Sequence, residues 1–143
     1  MNRAYHVGRP NVGSIDAFLN SAKEILESRW LSNGGSYCQA FEKKLADYLG
    51  VRHCLAFCNA TVALEITSRA LGLTDEAIVS AFTFIATPNA LQWQGVKPVF
   101  CDIDPVTHNL DAAQLESCLT PQTTGIVGVH LWGQACDTDA IQA

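Results

Sequence analysis

Long apolar runs are missing from this sequence: no stretch of the 143 residues approaches the roughly 18 needed to span a bilayer. The start, Met1-Asn2-Arg3-Ala4-Tyr5-His6, also lacks the apolar segment of a secretory signal. A cytoplasmic protein with no membrane partner is expected. Basic charge is in deficit, with 9 Lys and Arg against 14 Asp and Glu and a net charge of -5. A nucleic-acid partner is therefore not expected, because it would need a basic face to neutralise phosphates. Charge of either sign is scarce. Charged residues make up 16% of the chain, against about a quarter in ordinary soluble domains, and hydrophobic residues make up 48%. That surplus predicts that part of the chain packs against further chain or another subunit. The length suits one compact domain.

No Gly-x-Gly-x-x-Gly and no Walker lysine occur, which argues against the usual dinucleotide and nucleoside-triphosphate loops. Six cysteines are present (Cys38, Cys54, Cys58, Cys101, Cys118, Cys136) but no Cys-x-x-Cys pair. Several sit in apolar runs, where a thiol behaves as a small hydrophobe, so reduced and mostly buried cysteines are expected. His53, Cys54 and Cys58 match no common zinc spacing.

What is present is an alternation of helix and strand signals. Ser14 can cap a helix carrying Ile15, Phe18, Leu19, Ala22, Ile25, Leu26 and Trp30 at helical spacing. Ser32-Asn33-Gly34-Gly35-Ser36 breaks it, and a second helix with Cys38, Phe41, Leu45 and Tyr48 inward ends at Gly50. Cys54–Cys58 reads as a strand buried on both faces. A helix from about Val62 to Leu71 follows, then a strand at Ala77-Ile78-Val79. Thr87-Pro88 reads as the cap and first turn of a helix that Gly95 ends. Pro98–Cys101 is a third strand, Asp111 with Gln114 a capping box, and Gly125–His130 a fourth strand. Asp137 opens a last helical segment. This order predicts an α/β fold with a largely parallel sheet flanked by helices.

In such sheets ligands bind beyond the carboxyl ends of the strands. Asn59-Ala60-Thr61, at a strand-to-helix turn, offers backbone N–H groups, a hydroxyl and the positive end of a helix dipole, all suited to phosphate. The plainer alternative is that Asn59 or Thr61 only caps the helix. Phe84 follows a strand and could stack on a planar ring, or be core. Asp102-x-Asp104 could hold a divalent metal on a nucleotide sugar, as in glycosyltransferases, but Asp104-Pro105 is strong turn chemistry and the turn is preferred. His130 is open between ligand donor and buried structural residue, and the Asn33-Gly34 loop between substrate contact and helix breaker.

Together these segments resemble the DegT/DnrJ/EryC1/StrS family of pyridoxal-phosphate-dependent sugar aminotransferases, from about Arg9 to the last residue. The likeness is carried by Gly50-Val51-Arg52-His53, Cys58-Asn59-Ala60-Thr61-Val62-Ala63-Leu64 and Phe82-Thr83-Phe84-Ile85-Ala86-Thr87. Pro98-Val99-Phe100-Cys101-Asp102-Ile103-Asp104 and Gly128-Val129-His130-Leu131-Trp132-Gly133 continue it. The resemblance implies the aminoterminal part of an aspartate-aminotransferase-like large domain. Residues 1–50 would form a helical arm and 51–143 an incomplete cofactor-binding domain, truncated at its carboxyl end. It implies pyridoxal 5'-phosphate as cofactor, with Asn59, Ala60 and Thr61 at its phosphate and Phe84 against its ring. It makes Asp102-x-Asp104 a family turn.

The resemblance also implies amino transfer, commonly from glutamate, to a nucleotide-linked keto sugar, and a homodimer. In the family the lysine that holds the cofactor and the aspartate on its ring nitrogen lie beyond Ala143. Lys23, Lys43 and Lys44 fall on exposed helix faces and Lys97 precedes its strand, so none is placed to substitute. Two readings follow: part of a full aminotransferase, inactive alone, or a short non-catalytic pairing partner derived from that family.

Overall fold

A computed structural model describes Gly8 and residues 10–142. The backbone falls into two compact units that divide between Ala56 and Phe57.

The first unit holds two helices. Helix α1 (Ile15–Ser28) begins where predicted, with Ser14 Oγ accepting the Ala17 N–H at 3.3 Å. Helix α2 (Ser36–Leu49) ends at Gly50, whose positive φ of 67° suits a residue without a Cβ. The apolar stripe of α1 forms as a stripe, yet Ile15, Phe18, Leu19 and Leu26 are exposed, and neither helix buries a residue. The Asn33-Gly34 loop between the helices is fastened by side chains. The Trp30 indole donates to the Asn33 carbonyl at 3.1 Å, and Gln39 Nε2 to the Gly34 carbonyl at 2.8 Å. The Tyr37 hydroxyl donates to Glu24 at 2.5 Å, tying one helix to the other.

The predicted strand at Cys54–Cys58 does not form. A strand exists only through a hydrogen-bonded neighbour, and none of the described strands pairs with this segment. The Ala56 N–H goes instead to the Glu42 carboxylate at 2.8 Å, and Leu55 and Phe57 are exposed rather than buried.

The second unit is a three-stranded parallel sheet with helices. It runs α3 (Ala60–Ala70), β1 (Glu76–Ser80), α4 (Ala86–Trp93), β2 (Lys97–Cys101), α5 (Leu115–Cys118), β3 (Thr123–Val127) and α6 (Thr138–Gln142). Strand order is β2-β1-β3, with Ile78 opposite Val99 on one side and Ile126 on the other. Alternation along β1 builds the core. Ala77 and Val79 meet Leu91 and Val96 on one face, and Ile78 meets Cys101, Leu110 and Leu115 on the other. Every residue from Ala77 to Ser80 is buried, as the apolar run in a central parallel strand requires.

The start of α4 and the end of β3 differ from the sequence reading for identifiable reasons. Helix α4 starts at Ala86, so Thr87 lies inside its first turn rather than capping it. The Thr87 N–H is already taken by the Phe84 carbonyl at 3.0 Å and its hydroxyl by Thr83 Oγ1 at 2.9 Å. Strand β3 stops at Val127 because its partner β1 ends soon after, at Ser80, which leaves Gly128-Val129-His130 beyond the sheet.

Candidate cofactor-binding site

The carboxyl ends of the three parallel strands deliver three loops to one edge of the second unit. Strand β1 delivers Phe82-Thr83-Phe84, β2 the excursion from Asp102 to Asp111, and β3 the segment from Gly128 to Cys136.

The turn into α3 has one cap and three idle donors. Asn59 Oδ1 accepts the Val62 N–H at 2.9 Å, so Asn59 is the cap residue and Thr61 is not. The Ala63 N–H reaches the Asn59 carbonyl at 3.2 Å. Helix geometry supplies no partner for the N–H groups of Ala60 and Thr61. Among the described residues neither they nor the Thr61 hydroxyl makes a hydrogen bond. Three donors at the positive end of an 11-residue helix, beside the small Ala60 side chain, are a chemical fit for a phosphate dianion.

Phe84 is 78% exposed, so the core alternative does not hold for it. Its backbone is nevertheless anchored. Ser80 Oγ accepts the Phe82 N–H at 3.3 Å, and the Phe84 carbonyl accepts from Thr87.

The loop after β2 is a closed turn. Ile103 bridges Leu110, and the Asp111 N–H donates to the Asp102 carbonyl at 3.0 Å. Asp104 Oδ1 accepts the N–H groups of Thr107 at 2.7 Å and Val106 at 3.0 Å. The Thr107 N–H first, then its hydroxyl and the Val106 N–H, hold the Asp104 carboxyl below its usual range. With Asp102 Oδ1 accepting from Ile103 at 2.8 Å, both carboxylates are engaged locally, as turn chemistry predicts. Among the described residues no group of three or more His, Cys, Asp and Glu is gathered that could hold a metal.

His130 is exposed, and its Nδ1 accepts the Cys136 N–H at 3.0 Å. When neutral, the ring therefore carries its proton on Nε2. Lys97 lies at the amino end of β2, opposite the loops, and is paired with Glu76 at 2.7 Å. Lys23 and Lys43 sit on the helices of the first unit, beside Glu27 and Asp47.

Sequence reasoning missed an aromatic cluster that gathers one ring from each loop. Phe82, His108 and Trp132 meet edge to face, with centroids 5.5 to 6.2 Å apart. It also missed Asn109, whose side chain bonds the loop after β3.

A family model described as the DegT/DnrJ/EryC1/StrS aminotransferase family matches residues 14–143. The chain belongs to that family. Among curated relatives of this aminotransferase family, the dTDP-4-amino-4,6-dideoxy-D-glucose transaminase of Escherichia coli is 37% identical over 136 residues. The match covers 95% of this chain and 37% of that protein. The GDP-perosamine synthase of Caulobacter vibrioides is 46% identical over 120 residues, covering 82% of this chain and 32% of the relative. In solved structures, the fold superimposes on DesI, crystallised in the presence of its TDP-sugar product, with a TM-score of 0.90 and 47% identity. That match covers 96% of this chain and 35% of DesI. The protein Spr1654 from Streptococcus pneumoniae, solved in PLP, PMP and apo forms, gives a TM-score of 0.85 at 30% identity. Its match covers 91% of this chain and 33% of that protein. The chain spans about a third of the length of these relatives. The expected α/β architecture and the expectation of pyridoxal phosphate agree with these neighbours.

Proposed function

We propose that this chain supplies one wall of the cofactor pocket of a pyridoxal-phosphate-dependent aminotransferase acting on a nucleotide-linked keto sugar. The observation that carries the proposal is the start of α3, where Ala60, Thr61 and the Thr61 hydroxyl leave three donors idle while Asn59 caps Val62. They would bind the cofactor's phosphate, and Phe84 would lie against its ring. When bound, the cofactor supplies an electron sink for the amino-transfer chemistry. The protein's share is to hold that group by its phosphate, fix the plane of its ring and exclude water.

Glutamate is the proposed amino donor and the cytoplasm the proposed site of action. The residue that holds the cofactor covalently is assigned to chain beyond residue 143, since Lys97 lies at the wrong edge of the sheet. In this reading residues 1–50 form an arm, 51–143 form part of the cofactor domain, and the working form is a homodimer. The likeness along the whole chain to proteins about three times as long supports assignment to a longer enzyme. By itself the chain would bind cofactor without turning over.

The test is a pyridoxal phosphate titration of this chain, followed by equilibrium dialysis. Thr61→Ala should weaken binding about tenfold or more, because it removes a hydrogen bond to a charged oxygen. Equal affinity in Thr61→Ala and the parent would sink the phosphate assignment. In a chain extended to the relatives' length, borohydride should fix the cofactor on a lysine. Absence of any lysine adduct there would favour the non-catalytic alternative.

A further inference from the structure

Asn109 is 3% exposed, and every polar atom of its side chain has a partner. Nδ2 donates to the carbonyls of Gln134 and Ala135, both at 3.1 Å, and Oδ1 accepts the Leu131 N–H at 3.0 Å. The residue is itself fixed from behind. Its carbonyl accepts the Asp104 N–H at 3.0 Å, and its own N–H reaches Thr107 Oγ1 at 3.4 Å. One buried amide therefore clamps the loop after β3 to the loop after β2.

The clamp grips both sides of Trp132, which has the left-handed backbone conformation (φ 51°, ψ 27°). A bulky residue there is strained, and such a conformation persists only where its surroundings over-determine it. The Asn109 bonds at Leu131 and at Gln134 and Ala135 supply that determination. Held so, Trp132 places its ring edge-on to Phe82 at 5.8 Å and to His108 at 5.5 Å. Phe82 lies two residues before Phe84, with Ser80 holding its N–H and Thr83 bonded to Thr87 on the far side. A contiguous path of contacts thus runs from the Asn109 amide through Trp132 and Phe82 to the segment that carries Phe84.

We propose that Asn109 is a positioning residue: by clamping the loop after β3 it seats Trp132 against Phe82 and so fixes Phe84 for stacking on the cofactor ring. The cofactor part rests on the pocket assigned above. The positional part stands on this geometry alone. Asn109 acts through Trp132 and Phe82.

The test uses the 143-residue chain labelled with 4-fluorophenylalanine at its six Phe positions, read by fluorine NMR. Phe82 and Phe84 are assigned by single Leu replacements. Asn109→Asp keeps the acceptor for Leu131 but turns a carboxylate oxygen toward the Gln134 and Ala135 carbonyls in place of both donors, and Asn109→Ala removes the clamp. The Phe82 and Phe84 resonances should move in both variants, while those of Phe18 and Phe41 in the first unit stay in place. In the parent, pyridoxal phosphate should shift the Phe84 resonance, and in Asn109→Asp the midpoint should rise about tenfold. Thr61→Ala, by contrast, should raise the midpoint without moving Phe84 in the free chain. An unmoved Phe84 resonance in Asn109→Asp overturns the proposal, as does an unchanged midpoint. A parent Phe84 resonance that ignores saturating cofactor defeats the pocket assignment instead. The clamp is then judged on the variant spectra alone.

Discussion

The imidazole of His130 closes its own loop by accepting the Cys136 backbone N–H on Nδ1 at 3.0 Å. Cys136 is buried, so that N–H has little access to water. His130→Phe should therefore destabilise the second unit by about 1–3 kcal/mol, the cost of a buried donor left alone. His130→Asn, whose Oδ1 can occupy roughly the Nδ1 position, should recover most of it. Urea midpoints of the two variants check this, and equal midpoints would show that the Cys136 bond contributes nothing.

Acid should weaken the fold through Glu76. Its hydrogen bond to Lys97 first, then that from Thr120, depress its pKa in the folded state. A depressed carboxylate contributes stability that is full above the unfolded value, about 4.3, and lost as pH falls through the folded one. Asp104 acts in the same direction. Urea midpoints should hold down to about pH 5 and fall below it, with a shallower fall in Lys97→Met. A fall of equal depth in that variant would remove Lys97 as the cause.

Cysteine reactivity should follow place in the fold. Burial, and then the neighbouring Cys118 thiol, push Cys101 up to about 12, whereas Cys58 is exposed. Iodoacetamide at pH 8 should label Cys58 early and Cys101 only on unfolding, because the thiolate is the nucleophile. Peptide mass spectrometry gives the order. Early labelling of Cys101 would mean that the end of β2 opens readily.

Gly125 has no room for a methyl group, since a Cβ there would run into the Leu73 side chain. Leu73 is half-buried against the cluster of Ala77, Val79, Leu91 and Val96, and only the tip of its side chain is met, so a change of rotamer can relieve the overlap. Gly125→Ala should cost about 1 kcal/mol or less, the strain of shifting the Leu73 side chain. In Gly125→Ala with Leu73→Ala the two changes should couple favourably, as a double-mutant cycle would show. Strict additivity would place the strain elsewhere.

Much of the fold was legible because its signals are local. Ser14, Gly50, the apolar Ala77-Ile78-Val79 and the Asp104 turn each depend on a few neighbouring residues, and each formed as read. The start of α3 was legible for the same reason, since a cap and idle N–H groups follow from a helix beginning there. Cys54–Cys58 failed because an apolar run states only that a strand would be buried, and a strand also needs a partner alongside.

The sequence by itself determined the helix ends at Ser14 and Gly50, the central strand, the run of parallel units and the family to which they belong. These follow from propensity, periodicity and short-range hydrogen bonds. Only the tertiary structure decided that Asn109 grips a loop 22 to 26 residues away, and that Phe82, His108 and Trp132 meet from three separate loops. The order β2-β1-β3 brings those loops to one edge of the sheet, and no spacing along the chain encodes that adjacency.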